Sequence, residues 1–371
     1  MVTLSGHAYC WDVLGDPAFV DRAVDLGLDS VTLAAAYHSV RAATPLHPRH
    51  QVIEARYAAL YRLVRQSVWQ GRRLRPLEPA WMADPDPFRT AAHALTARGL
   101  EVVAWVVLTH NTRLGEEHPD VAVVNCFGDR YAYALCPSWE EVRDYAALLA
   151  AEAVRDVAVS MVSLESCGQL GVVHAGHHDK TAGAWTDAAQ RWLSVCCCPA
   201  CRRNWSRFGA DPDRMVAQLR AAVRSGMPVD NADVIVEARL QATETMRSQC
   251  LDALDGTAVI LHASGDRWAT GPSPGYRPPS TPHARRPDRL LLNAWSTTPE
   301  AVDAVASAFR DGDTVHAYVT ALPPAHGEDL PGHVRALVAA GASGINLYHL
   351  GLAPAWRQRT LHEVSTILEK S

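Results

Sequence analysis

Eight short apolar runs, alternating with stretches of helical periodicity, constrain what this chain can fold into more than any other feature. The runs are Val2–His7, Ser30–Ala36, Glu101–Leu108, Val157–Leu164, Ala258–His262, Arg289–Asn293, Thr314–Val319 and Gly344–Tyr348. They are rich in Val, Ile and Leu and read as apolar on both faces, which suits a parallel sheet covered on both sides. The periodicity predicts helices over Pro17–Leu26, Pro87–Arg98, Trp139–Val154, Ala184–Phe208, Asn231–Leu254, Pro299–Phe309, Leu330–Ala340 and Pro354–Leu368. Asp16-Pro17 and Thr298-Pro299 put proline in a first turn behind a capping residue; Arg98-Gly99 and Ala340-Gly341 put glycine where a helix ends. Eight strands alternating with eight helical zones is the count of an α/β fold, the (β/α)8 TIM barrel. A doubly wound open sheet would want a glycine-rich phosphate turn after its first strand, and HAYCWDVLG supplies none. The surplus length falls after strands 2, 3, 4 and 5, and Gly265–Pro287, rich in Pro, Gly, Arg and Ser, is one such enlarged loop. Without an internal repeat or a low-complexity linker, residues 1–371 are expected to form one barrel domain with a Cys-rich insertion around 167–210.

Composition removes several classes of function. Of the 371 residues 48% are hydrophobic and 20% charged, which excludes intrinsic disorder. Lys+Arg total 35 against 40 Asp+Glu, and a net charge of −5 argues against nucleic acid or an anionic membrane as partner. MVTLSGHAYCWDVLG lacks the basic-then-apolar order of a secretory leader. The apolar run Ala146–Ala153 contains Glu152 and falls short of the ~18–20 residues of a membrane helix. Nine cysteines, four of them in CCCPAC at 196–201, are an odd and clustered set, unlike a secreted disulfide framework. A cytoplasmic location is therefore expected, and nothing excludes a homo-oligomer.

Cys196, Cys198 and Cys201 form C-x-C-x2-C ahead of the helical stretch Arg202–Phe208. Thiolates so spaced can converge on one tetrahedral Zn2+ with a fourth ligand from elsewhere. Buried thiols packed as small hydrophobes are the alternative. A redox C-x-x-C would want a thioredoxin-like βαβ context, which is missing.

The segment Cys136–Phe208 resembles the matching segment of the family 42 β-galactosidases, barrel enzymes of the large retaining glycosidase clan. In that family a cysteine after strand three precedes a helix, strand four ends in the acid/base glutamate, and a C-x-C-x2-C run completes a structural zinc site. Here Cys136-Pro-Ser-Trp-Glu-Glu precedes a helical stretch, Val157–Leu164 leads to Glu165, and CCCPACRRNWSRFG follows. The resemblance implies a structural zinc held by Cys136, Cys196, Cys198 and Cys201, with Cys167 as the alternative fourth ligand, nearer in sequence. It also implies the acid/base role for Glu165. Two departures stand out: Leu164 occupies the place of the family's Asn, and GVVHAGHHDK is added between Glu165 and the cysteines.

Active sites of such barrels sit at the C-terminal ends of the strands. Those ends carry His7 and Asp12, then Tyr37, His38 and Arg41, then His110 and Asn111, then Glu165 with His174, His177 and His178 beyond it. The later ends carry His262 and Asp266, Asn293 and Trp295, Tyr318 and Thr320, and Tyr348 and His349. Donors and acceptors mixed with flat apolar rings suit a sugar, so the expected partner is a small-molecule carbohydrate or glycoside. His38, Arg41, His110, Asn111, His174, His177, His178, Asn293, Trp295, Tyr318 and Tyr348 are the candidate substrate contacts.

Glu165, flanked by apolar Val162 and Leu164, suits a general acid with a raised pKa. A glutamate paired with a nearby Arg, or capping a loop, is the plain alternative. A retaining mechanism needs a second carboxylate about 5–5.5 Å away. The seventh run, DTVHAYVTALPPAHGEDL, has no acid at its end, leaving Glu328, Asp329, Asp12 and Asp266 as candidates. His174, His177 and His178 with Asp179 could instead bind a catalytic metal, joined by His38 and His110, but they lack the H-E-x-x-H spacing. Substrate binding is the favoured role. Two other functions stay open: a metal-dependent lyase or isomerase on a sugar-like substrate using this His-rich rim, and a non-catalytic carbohydrate-binding barrel. Trp105, Trp185, Trp192 and Trp205 are expected to pack the core.

Overall fold

The computed structural model describes residues 2–173, 180–181, 183–279, 284–310, 312–323 and 329–368. Eight parallel strands run in sequence order: Thr3–Ala8 (β1), Ser30–Tyr37 (β2), Glu101–Val107 (β3), Met161–Glu165 (β4), Val259–Ala263 (β5), Arg289–Asn293 (β6), Val315–Thr320 (β7) and Gly344–Tyr348 (β8). β1 pairs with β8 at Thr3↔Gly344 and with β2 at Ser5↔Ser30, and this double pairing closes the barrel. Each expected run overlaps a strand, and β1, β2, β4, β5 and β7 each extend one residue past the run's end. β4 shows the largest displacement, because Asp156 takes the left-handed conformation (φ 55°) after the helix Glu140–Val154 and the strand starts only at Met161.

Alternate residues of each strand point to opposite faces. The outward set, including Val31, Leu33, Val102, Val106, Leu164, Leu261, Leu292 and Leu347, packs on helix residues such as Phe88, Leu95, Leu149 and Leu337 in one continuous core. The inward set is not uniformly apolar, which corrects the two-sided apolar expectation. Val103, Met161, Ile260, Leu291 and Tyr318 form a small central cluster. Ser5, His7, Thr32, Ser163, His262, His316 and Asn346 share this interior and are all buried. Several of them are hydrogen-bonded: Ser5 and Thr32 hydroxyls lie 2.9 Å apart, and Arg289 donates to His316 Nε2 at 3.2 Å. That bond leaves the proton on Nδ1, which donates to Asn346 Oδ1 at 3.0 Å.

A Cβ at Gly344 would stand 2.4–2.5 Å from the His316 ring, so this glycine makes room for the imidazole. Gly344→Ala is expected to destabilise the protein by about 1–3 kcal/mol through overpacking. The check is a lower urea midpoint at unchanged slope; a wild-type midpoint would show that the ring can move aside.

The insertions fall where expected and are more structured than the pattern shows. After β2 comes an antiparallel hairpin, Val40–Ala43 with Val52–Ala55. After β3 come the helix Thr112–Glu117 and the hairpin Ala122–Val124 with Arg130–Leu135. After β4 the expected single helix Ala184–Phe208 is two, Asp187–Leu193 and Pro199–Arg207. The chain breaks at the cysteine turn, and Pro199, unable to continue a helix, starts the second one. Helix Pro212–Ser225 follows, and a second core forms around the cysteines with Trp205, Met215, Leu219 and Ile235. Trp205 is buried as expected, whereas Trp185 is exposed. Among the described residues no helix is long and apolar enough to cross a membrane.

Candidate functional site at the barrel mouth

Glu165 is the last residue of β4 and is 5% exposed. The register sets Trp105 beside Ser163 and Val107 beside Glu165, so the Trp105 indole lies one step below the carboxyl. Its Nε1 donates to Glu165 Oε2 at 2.9 Å. Burial pushes the Glu165 pKa up from 4.5 to about 7, against the opposing pull of the Trp105 N–H. Desolvation outweighs one hydrogen bond, as expected for a carboxyl with no cation beside it.

Rings surround this carboxyl. His7 lies 4.7 Å from the Trp105 ring and 4.6 Å from Tyr318, and His262 lies 5.3 Å from Tyr318. His262 Nδ1 stands 4.0 Å from Glu165 Oε2 and its Nε2 is 3.0 Å from Ser163 Oγ. Burial takes His262 and His349 down to about 3, so both imidazoles are neutral at working pH. Trp295 stacks on Tyr348 at 4.8 Å, and His38 stacks on Tyr37 at 4.2 Å and lies 4.3 Å from His110. Trp295 Nε1, His262 Nδ1 and His349 Nε2 are buried donors or acceptors with no partner among the described residues.

Trp105 was expected to be packing alone; its strand pattern marks it as buried but cannot show which way Nε1 points. Trp105→Phe removes the donor that favours the carboxylate, so the Glu165 pKa is expected to rise further. The alkaline limb of the pH–rate profile should then move to higher pH, and an unmoved limb would mean the limb belongs to another group.

The candidate contacts do not all converge. Tyr318, Tyr348, Trp295, His38 and His110 gather at the mouth. Arg41 is exposed on the hairpin after β2 and donates to Glu54 there at 2.7 Å. Asn111 is buried as a helix cap: its Oδ1 accepts from Leu114 N at 3.0 Å and its Nδ2 donates to Tyr145 Oη at 3.4 Å. Asn293 accepts from Trp295 N at 3.0 Å. His174, His177, His178, Asp179 and Glu328 lie outside the described residues.

Asp12 is buried, and desolvation raises its pKa to about 7. Its Oδ2 accepts from Tyr9 N at 2.8 Å, and the carboxyl fills the space a side chain at Gly351 would take. Asp266 is exposed and accepts from Trp268 N at 3.0 Å. Neither perturbs Glu165, whose shift comes from burial and Trp105 alone.

The second cluster is the cysteine group. The sulfurs of Cys136, Cys196, Cys198 and Cys201 all lie within 4.8 Å of one another and all four residues are buried. Cys136 is 3.5 Å from Cys201 and 3.8 Å from Cys198. A tetrahedron with metal–sulfur bonds of about 2.3 Å has edges of about 3.8 Å, so the group fits one ion. Hydrogen bonding among the four sulfurs pulls Cys198 below the usual thiol range and pushes Cys136 and Cys201 above it. A cation bound among such thiols would displace their protons. Arg239, buried in helix Ala232–Ala253, has thiols Cys201, Cys196 and Cys136 as its chief attractive neighbours, and its Nη1 has no partner among the described residues. Such a cation suits a negatively charged metal–thiolate centre. Cys167 lies outside the group, against Cys250 and Arg247, which removes it as the fourth ligand.

No protein-family model and no curated protein matches the chain. Solved structures do. The PgaB (BpsB) glycoside hydrolase domain from Bordetella bronchiseptica is similar at a TM-score of 0.62 and 14% identity, over 98% of this chain and 99% of that one. The fold is a barrel shared with glycoside hydrolases. α-L-Fucosidase isoenzyme 2 from Paenibacillus thiaminolyticus is similar at 0.61 and 13% identity, over 100% of this chain and 49% of the fucosidase, so this chain spans about half its length. A β-galactosidase from Bacillus circulans sp. alkalophilus is similar at 0.57 and 12%, over 98% of this chain and 55% of that one. At such identities the likeness carries the architecture and no residue roles.

Proposed function

We propose that this barrel is a glycoside hydrolase-like enzyme acting on a small carbohydrate or glycoside, with Glu165 as general acid/base. The observation that carries this is a buried carboxyl at the end of β4, its pKa raised to about 7, inside a ring of aromatic side chains. A group titrating near neutrality is present both as acid and as base at working pH, which general catalysis requires. The Glu165 proton passes to the glycosidic oxygen, the electron pair of the breaking C–O bond moves onto that oxygen, and the leaving alcohol departs. The carboxylate then accepts a proton from the water that adds to the sugar carbon.

Trp295, Tyr348 and Tyr318 offer ring faces, and the unpartnered Trp295 Nε1 and His349 Nε2 offer polar atoms to hydroxyls. His38 and His110 extend this surface, and His174, His177 and His178 on the neighbouring insertion are proposed to join it. The fucosidase, the PgaB glycoside hydrolase domain and the β-galactosidase among the structural neighbours support the substrate class. The four-cysteine group is proposed to hold a structural Zn2+, since four thiolates leave no open coordination position. Reducing-sugar release from a panel of glycosides, with and without chelator, is the test. Turnover that survives chelation supports the proposal, and turnover lost within seconds of chelation, with the fold intact, points to the His-rich metal alternative.

One observation favours a second function. Among the described residues no second carboxylate perturbs Glu165, as a displacement pair would. A carbohydrate-binding barrel without turnover is the outcome this would give, and it shows as saturable sugar binding with no product from any glycoside.

A further inference from the structure

Ser163 sits two residues before Glu165 on the inward face of β4, wholly buried. Among the described residues its hydroxyl has one hydrogen-bond partner, His262 Nε2 at 3.0 Å. The contact can be made in two ways. If the imidazole donates from Nε2, the serine proton is left without an acceptor, and the Nδ1 lone pair is turned towards the Glu165 carboxylate 4.0 Å away. If the serine donates instead, Nε2 is the acceptor and the single proton of the neutral ring sits on Nδ1, facing Glu165 Oε2. The first arrangement strands the buried serine proton and sets two electron-rich atoms against each other. The second leaves Nδ1–H without a hydrogen bond but turns its positive end towards the carboxylate 4.0 Å away, which is the favourable electrostatic arrangement.

We propose that Ser163 fixes His262 as the Nδ1–H tautomer, so that His262 and Trp105 direct two N–H groups at Glu165 Oε2 and leave Oε1 as the oxygen that carries and transfers the proton. Ser163 and His262 are thus positioning residues. At 4.0 Å the His262 contact is charge to dipole rather than a hydrogen bond, and such contacts shorten when a site fills. The Trp105 bond at 2.9 Å anchors the same oxygen from β3. The other titratable groups around Glu165 are His7 on β1, Tyr37 on β2, Tyr318 on β7 and Tyr348 on β8; burial lowers the imidazole and raises the three phenols, so all four stay neutral when Glu165 ionises. Among the described residues, the Trp105 N–H is the one side-chain hydrogen bond that acts on the Glu165 pKa.

The inference about Oε1 rests on the proposed acid/base role of Glu165, whereas the tautomer does not. The experiment is 15N NMR of histidine-labelled protein above pH 8, with His262 assigned by its loss in His262→Asn, and a 13C titration of the Glu165 carboxyl. Wild type is expected to show a protonated Nδ1 on His262. Ser163→Ala, which removes the hydroxyl with little change of shape, is expected to lose that tautomer and to raise the Glu165 titration midpoint. Ser163→Thr, which keeps the hydroxyl, is expected to restore both. A protonated Nε2 in wild type overturns the proposal, and so does a Glu165 midpoint that Ser163→Ala leaves in place. If both signals move as expected but no glycoside is hydrolysed, the relay stands and the glycosidase function fails.

Discussion

Glu165→Gln is expected to lower turnover on glycosides with poor leaving groups by about 10²–10⁴-fold while substrate binding survives. The amide keeps the shape and can still accept from Trp105 Nε1, but it has no proton to give. Substrates with good leaving groups, which need less protonation, should lose less. The same substitution carries a stability signature of opposite sign. Glu165 has a folded pKa of about 7 against an ordinary 4.5, so its contribution to stability is fully present below about pH 4.5 and is lost as pH rises through 7. Above pH 7 the buried carboxylate costs about 3 kcal/mol, which the uncharged amide avoids. Glu165→Gln should therefore be more stable than wild type at pH 8 and equal to it near pH 4. Denaturant unfolding at the two pH values, beside steady-state kinetics, reads both effects. Near wild-type turnover on a poor-leaving-group glycoside would make Glu165 structural and direct attention to the histidines beyond β4.

Cys198→Ser is expected to cost at least about 3 kcal/mol and to abolish binding of the proposed Zn2+, because the affinity of such a site is folding free energy of the segment that carries it. Cys198 is one of the four clustered sulfurs and hydrogen-bonds Cys136 at 3.8 Å, so its loss removes one ligand from the group. Freshly purified wild type should contain about one zinc per chain, as four thiolates form one closed site. Cys197→Ser is the control: its sulfur points to Val195 O at 3.6 Å and stands outside the four-sulfur group, so metal content should be unchanged. The loss should appear first as faster amide exchange in helices Asp187–Leu193, Pro199–Arg207 and Pro212–Ser225, which share the core around the cysteines. Protein purified without stoichiometric zinc, and a Cys198→Ser protein as stable as wild type, would together show that the thiols are packing alone.

Much of the architecture was legible along the chain because its signals are local. Apolar runs of four to eight residues, proline at N1 and glycine at a helix end depend on neighbours a few positions away, and their count of eight specified the barrel. The C-x-C-x2-C spacing and the position of Glu165 at a strand end are likewise local, and both clusters formed around them. What periodicity could not show was direction and distance. It marked Trp105 and His262 as buried or at a strand end, yet whether an indole N–H meets a carboxylate depends on the register between β3 and β4. Arg41 and Asn111 had suitable chemistry, but a cross-strand glutamate and a helix end claimed them.

The sequence by itself determined the barrel, the three closely spaced cysteines of the cluster and the place of Glu165 at a strand end, since each follows from residue type at short spacing. Only the tertiary structure decided that Cys136 rather than Cys167 joins the other three sulfurs. It alone also placed Ser163, His262 and Trp105 around one carboxyl and raised that carboxyl's pKa. Desolvation and hydrogen-bond geometry depend on atoms brought together from strands far apart in the chain, and closure of the barrel is what brings them together.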